Sequence, residues 1–240
     1  MPARGSPPSI AKQRCQFREG KDVPGYYVDE RAIDLNALRE RLQSSDLIPS
    51  QRPLLEGIAD KMTALKAAGM HSLADLRVAL KSPKSLTQLS GETAIDPNYL
   101  RLMRRAVDGF FPKPRSLREL NWLDSNIIDV LEASGIKNTR TLFEATSSGA
   151  TGLAKETGLD VGDLAELIAI SDLCRIQWVS PTFARALIAA GTGSAAAVAK
   201  ADPDNMFQAI VKANQGAKFY KGKVGMRDIK RLVAAARYVS

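Results

Sequence analysis

The densest run of chemically capable side chains is Lys218-Phe219-Tyr220-Lys221-Gly222-Lys223-Val224-Gly225-Met226-Arg227-Asp228-Ile229-Lys230-Arg231. Six cations, two aromatics and two glycines lead there into a helical pattern. Such a run suits phosphate binding, because a helix start adds free N–H groups and a positive dipole end to the lysines before it. At about 100° per residue, Arg227, Lys230, Arg231 and Arg237 fall within an arc of about 120°, while Ile229, Leu232, Val233 and Ala236 lie opposite. One face can pack while the other meets phosphates. A solvated basic face closing the last helices is the alternative reading. Phe219 and Tyr220 read as core packing rather than base stacking. A second basic group, Arg101, Arg104 and Arg105, follows Asp96-Pro97, with Lys113, Arg115 and Arg118 beyond it. Arg101 and Arg105 share a helix face.

Other chemistries have little to work with. His71 is the single histidine, so a histidine-dependent triad has one candidate, and no His/Cys cluster is spaced for zinc. Cys15 and Cys174 form no disulfide framework, which suits a cytoplasmic protein, and Cys174 in an apolar helix reads as buried and inert. Glu92 and Glu156 each sit in a Glu-Thr pair before a helix start, which separate repeats need not bring together. No GxxxxGK[ST] loop is present, and Gly222-Lys223-Val224-Gly225 alone is too weak to indicate a nucleotide site. No cofactor is expected.

These residues are positioned by a repeat. LKAAGMHSLADLRVA at 65–79, LEASGIKNTRTLFEA at 131–145 and LIAAGTGSAAAVAKA at 187–201 align, with Gly69, Gly135 and Gly191 in register. LSGETAIDPNYL at 89–100 matches LAKETGLDVGDL at 153–164. Leu120, Trp122 and Leu131 match Ile176, Trp178 and Leu187. The equivalents of Arg101 and Arg105 in the next unit are Ala165 and Ala169, so the repeated architecture does not require that charge. Trp122 and Trp178 read as large apolar plugs in the turn between helices.

Each unit reads as helix, tight turn, helix. Apolar residues recur at helical spacing before each glycine, which fits the left-handed position closing a helix. Ser82-Pro83, Asp96-Pro97, Ser180-Pro181 and Asp202-Pro203 place a capping side chain before a proline at the first helical position. Tyr26-Tyr27-Val28 is the single short strand candidate. The expected fold class is all-α, with tandem helix-hairpin-helix-like repeats of short helices. Helices of about 8–14 residues depend on packing against neighbours.

Composition places the 240-residue chain, 45% hydrophobic and 25% charged, in the globular class. No apolar run reaches the roughly 18 residues of a membrane span, and no secretory signal pattern opens the chain. The net charge of +8 is uneven: +1 over residues 1–50, +3 over 51–112, −3 over 113–175 and +7 over 176–240. The same boundaries divide the chain into an N-terminal arm with one helix and three repeat units. Residues 1–25, rich in Pro, Gly, Lys and Arg, read as a mobile arm. The helix after it is expected from Asp34 as N-cap to about Ser44, with Ile33 stapling onto Leu38 and with Leu35, Leu38 and Leu42 on one face.

LAKETGLD at 153–160, LCRIQWVSPTFARALIAAG at 173–191 and GMRDIKRLVAAA at 225–236 resemble the bacterial family called domain of unknown function 4332. The resemblance covers about Leu153 to Val239 and, through the internal repeat, extends back to about residue 50. It implies tandem helix-hairpin-helix-like units and brings no established activity. In such elements the turn reads apolar-x-Gly-apolar-Gly. Here the corresponding stretches are Leu54-Leu55-Glu56-Gly57-Ile58, Leu120-Asn121-Trp122-Leu123-Asp124 and Ile176-Gln177-Trp178-Val179-Ser180, with most glycines replaced. Together these features point to a non-catalytic module that binds nucleic acid largely without sequence preference, through Lys218, Lys221, Lys223, Arg227, Lys230, Arg231 and Arg237, with Arg101, Arg104 and Arg105 as a second group. The alternative is a protein-interaction scaffold. No membrane partner is expected.

Overall fold

A computed structural model describes residues 25–146 and 149–239. The expected mobile arm at 1–25 lies, save for Gly25, outside the described residues. The first helix, α1 (Leu35–Ser44), starts where the carboxylate of Asp34 accepts from the backbone N–H groups of Asn36 and Ala37. Its apolar stripe of Leu35, Leu38 and Leu42 is fully buried.

Among the described residues twelve further α-helices follow in three sets of four. The first set is α2 (Ile58–Ala67), α3 (Leu73–Leu80), α4 (Pro83–Thr93) and α5 (Pro97–Asp108). The second is α6 (Ser125–Ala133), α7 (Thr139–Ala145), α8 (Gly149–Thr157) and α9 (Val161–Leu173). The third is α10 (Pro181–Ala189), α11 (Ala195–Lys200), α12 (Pro203–Ala217) and α13 (Met226–Ala236). Short 3-10 turns at Pro49–Leu55 and Leu117–Glu119 precede the first two sets.

The first corner of every set has the same chemistry. Gly69, Gly135 and Gly191 stand at φ +85°, +86° and +85°. The N–H groups of Met70, Ile136 and Thr192 then donate back to the carbonyls of Leu65, Leu131 and Leu187 at 3.0, 2.9 and 2.8 Å. That bond satisfies a helix-end carbonyl, and the left-handed residue it requires favours glycine. Ser72, Asn138 and Ser194 cap the next helix with their side chains. The Ser-Pro and Asp-Pro pairs all act as caps.

The last corner of each set is where they diverge. A left-handed residue ends α4, α8 and α12, namely Ala94, Gly158 and Lys218. In the first two sets the N-cap of the next helix, Asp96 or Asp160, follows two positions later. In the third, the N-cap Gly225 follows seven positions after Lys218. The third set therefore carries a longer loop than its relatives.

The apolar interior forms two clusters. One runs from Leu35 to Phe110 and holds α1 to α5, and the other runs from Leu117 to Val239 and holds α6 to α13. The negative middle set and the positive last set thus share one core. Tyr26-Tyr27-Val28 is not a strand, and among the described residues only isolated bridges occur, Asp34 with Ser72 and Ser116 with Asn138. This segment is instead fixed by its side chains. Tyr26 is buried and shares a 2.8 Å hydrogen bond with Thr139, while Tyr27 donates to the Pro112 carbonyl at 3.1 Å. Arg175, 4% exposed, pairs with Asp172 and donates to the carbonyls of Tyr26 and Val239, tying the start of the described chain to its end.

Candidate nucleic-acid interface

The long loop of the third set is anchored from inside. Asn214 near the end of α12 clamps Tyr220, accepting from its N–H at 3.0 Å and donating to its carbonyl at 3.2 Å. The Tyr220 ring packs edge-on against Phe183, with centroids 5.6 Å apart. The aromatic thus turns toward the core while Lys218, Lys221 and Lys223 are exposed around it. Phe219 is half-buried, as expected of a packing residue. Asp228 closes the start of α13 by accepting from the Gly225 N–H at 2.9 Å. Ile229, Leu232, Val233 and Ala236 are buried, and α13 packs on α11 and α12.

The four cations read as one face of α13 have different fates. Lys230 is exposed to solvent. The Arg231 guanidinium sits 4.4 Å from the centre of the Trp178 ring. Arg227 is engaged elsewhere: its Nη2 donates to Asp46 Oδ1 at 2.6 Å and to the Leu47 carbonyl at 3.3 Å. That pairing holds the Asp46 carboxyl below its ordinary range. The face at Arg227 is thus partly a docking face for the segment after α1, which helical periodicity alone does not show. Arg237, just past the helix end, approaches the Ala199 carbonyl at 3.5 Å.

Trp178 departs from the expectation of an apolar plug. It is 56% exposed and left-handed at φ +72°, a conformation costing a residue with a Cβ about 1–2 kcal/mol. Its repeat partner Trp122 does plug the core, half-buried with the Arg185 guanidinium 4.6 Å from its ring centre. Ile176, Leu120 and Leu54 are the fully buried anchors of the three turns. Trp178, Phe183, Lys223, Val224, Asp228 and Arg231 together enclose an open cleft of about 360 Å³.

Arg101, Arg104 and Arg105 lie on α5, in the other core, whose apolar side buries Tyr99, Leu100, Met103 and Val107. Arg101 donates to Asn98 at 2.8 Å and Arg104 pairs with Asp108 at 3.5 Å, while Arg105 is exposed. The second basic group is carried by a different core from the first. Cys174 is buried and its thiol is pushed up to about 12 by desolvation, so it is no nucleophile at neutral pH. Among the described residues no group of His, Cys, Asp and Glu is placed to hold a metal, and no helix is long and apolar enough to cross a membrane.

One residue that periodicity missed is Arg41, 7% exposed, on α1. Its place between Leu38 and Leu42 on the buried side was the available signal.

Fold and surface define an all-α protein of repeated four-helix sets carrying a basic loop and an exposed tryptophan on the last set. Residues 127–239 match the family described as Domain of unknown function (DUF4332), and this part of the chain belongs to that family. The match opens at α6, upstream of the Leu153 boundary read from the sequence. No curated protein and no solved structure matches the chain.

Proposed function

We propose that the protein is a non-catalytic, cytoplasmic nucleic-acid-binding module that engages the phosphate backbone largely without sequence preference. The observation that carries this reading is the enlarged α12–α13 loop. The repeated architecture closes the same corner with a far shorter turn, so that corner does not require the loop's lysines. They display Lys218, Lys221 and Lys223 beside Lys230, Arg231 and the exposed Trp178. Cations beside an open aromatic face suit a strand whose phosphates are neutralised and whose bases can stack. Of the turns at 54–58, 120–124 and 176–180, the last holds a left-handed backbone at a hairpin glycine position, Trp178.

With Arg227 held by Asp46, five cations remain at this face: Lys218, Lys221, Lys223, Lys230 and Arg231. Neutralising about five phosphates gives a slope near −4.5 in log K against log salt on duplex DNA. The triple variant Lys221→Glu, Lys223→Glu, Lys230→Glu should abolish duplex binding while leaving the circular dichroism spectrum unchanged. Unchanged binding by that variant refutes the location. No binding by the wild type at about 50 mM salt refutes the function.

A further inference from the structure

A second cleft, of about 340 Å³, opens between the two cores and is distinct in its chemistry. Arg41 lines it from α1. Its guanidinium carbon lies 3.5 Å from the centre of the Phe110 ring and 3.8 Å from that of Tyr238, so a core ring and an exposed ring just past α13 sandwich the cation. Among the described residues none of its side-chain donors has a hydrogen-bond partner, and Nη1 is sealed from solvent. Burial pushes its pKa down to about 10, which leaves it charged at neutral pH. A buried cation without a counter-ion is a costly arrangement, since ring faces replace only part of the lost hydration.

The rest of the lining supplies the sign of the missing partner. Arg231 and Arg237 also face this cleft, and its one carboxylate, Asp46, is already bound by Arg227. With Asp46 neutralised by Arg227, the three guanidiniums leave the lining at about +3, most of which a dianion balances. A phosphomonoester carries about −1.5 to −2 at pH 7 and offers the oxygens that a guanidinium fork grips in pairs. Trp178 and the Gln51 and Gln177 amides border the same space and can receive the group the phosphate is attached to. We propose that this cleft is a phosphomonoester site, with Arg41 as its floor and Arg231 and Arg237 as its walls. The proposal does not depend on the nucleic-acid reading. The phosphate can belong to a free mononucleotide or to the 5′ end of a strand, and both present the same chemistry.

The test is calorimetric titration of the full chain at constant ionic strength and about pH 7.5. The probes are inorganic phosphate, adenosine 5′-monophosphate, adenosine, and a short single strand with and without a 5′-phosphate. A phosphate-dependent gain of at least tenfold is expected, AMP over adenosine identifying a free nucleotide and 5′-phosphate over 5′-hydroxyl identifying a strand end. Arg41→Gln and Arg237→Gln should each weaken the phosphorylated probe at least tenfold. If Arg41→Gln loosens the junction between the cores, Arg237→Gln still decides, because its side chain is exposed and its one hydrogen bond among the described residues is the long contact to Ala199. The Lys221/Lys223/Lys230 triple variant should lose duplex DNA yet keep the phosphomonoester. The proposal is overturned if no phosphorylated probe is preferred, if Arg237→Gln binds unchanged, or if the triple variant loses the phosphomonoester as well.

Discussion

Replacing Gly69, Gly135 and Gly191 by alanine, one at a time, tests the repeat through its backbone. All three stand at φ near +85°, and a Cβ built on any of them meets nothing within 4 Å. Packing is therefore silent, and the change reports conformation alone. A left-handed alanine costs about 1–2 kcal/mol, and the reduced freedom of the unfolded chain returns about 0.4–1 of it. A net loss of about 1 kcal/mol is expected at each site, equal within about 0.5 kcal/mol. Gly91 in α4 and Gly216 in α12 are the controls. They also meet nothing within 4 Å, but they lie within helices and lack positive φ. Alanine there should stabilise by about 0.5–1 kcal/mol through helix propensity. The assay is urea unfolding followed by circular dichroism, with thermal melts alongside, where 1 kcal/mol moves the midpoint by about 2–4 °C in a chain of this size. If the corner glycines and the helical glycines shift stability in the same direction, or if the three corners differ by more than about 1 kcal/mol, the shared left-handed closure is not what holds the repeat.

Two further measurements address the site and the core. With two tryptophans in the chain, Trp122→Phe isolates Trp178 and Trp178→Phe isolates Trp122; iodide should quench the first variant at least about twofold more strongly, since Trp178 is exposed and Trp122 half-buried while each has a guanidinium beside its ring. Equal quenching would show that Trp178 is not an open face. Desolvation raises the Cys174 thiol from 9.0 to about 12 and the Tyr99 hydroxyl from 10.0 to about 12, so the stability each contributes is complete below its unfolded value and is lost as pH rises toward the folded one. From about pH 9 to pH 10 the cysteine accounts for a loss of about 1 kcal/mol, and Cys174→Ala should flatten the melting temperature over that interval; an unchanged slope would mean that the thiol ionises without opening the core.

The readable parts of the structure were those governed by contacts a few residues apart. Asp34 caps α1 because its carboxylate reaches N–H groups two and three positions on, and that reach is written in the sequence. The same holds for the glycine corners and the Ser-Pro and Asp-Pro starts. Tyr26-Tyr27-Val28 carries β-type side chains, but among the described residues no partner strand lies beside it. The chain there is fixed by Thr139, Arg175 and Pro112, from 85 to 149 positions away.

What the sequence by itself determined, then, was the all-α class, the threefold helix order, the apolar faces and the location of the basic loop. Each follows from dihedral preference, capping or periodicity, which are local. The tertiary structure decided which of those side chains remain available. Arg227 is spent on Asp46, Arg41 is enclosed between Phe110 and Tyr238, and two tryptophans equivalent in the repeat part company, one half-buried and one in solvent. The physical reason is that a helical pattern states which face is apolar but not which residues of a distant segment will meet the polar one. That register arises only when the two cores close on each other.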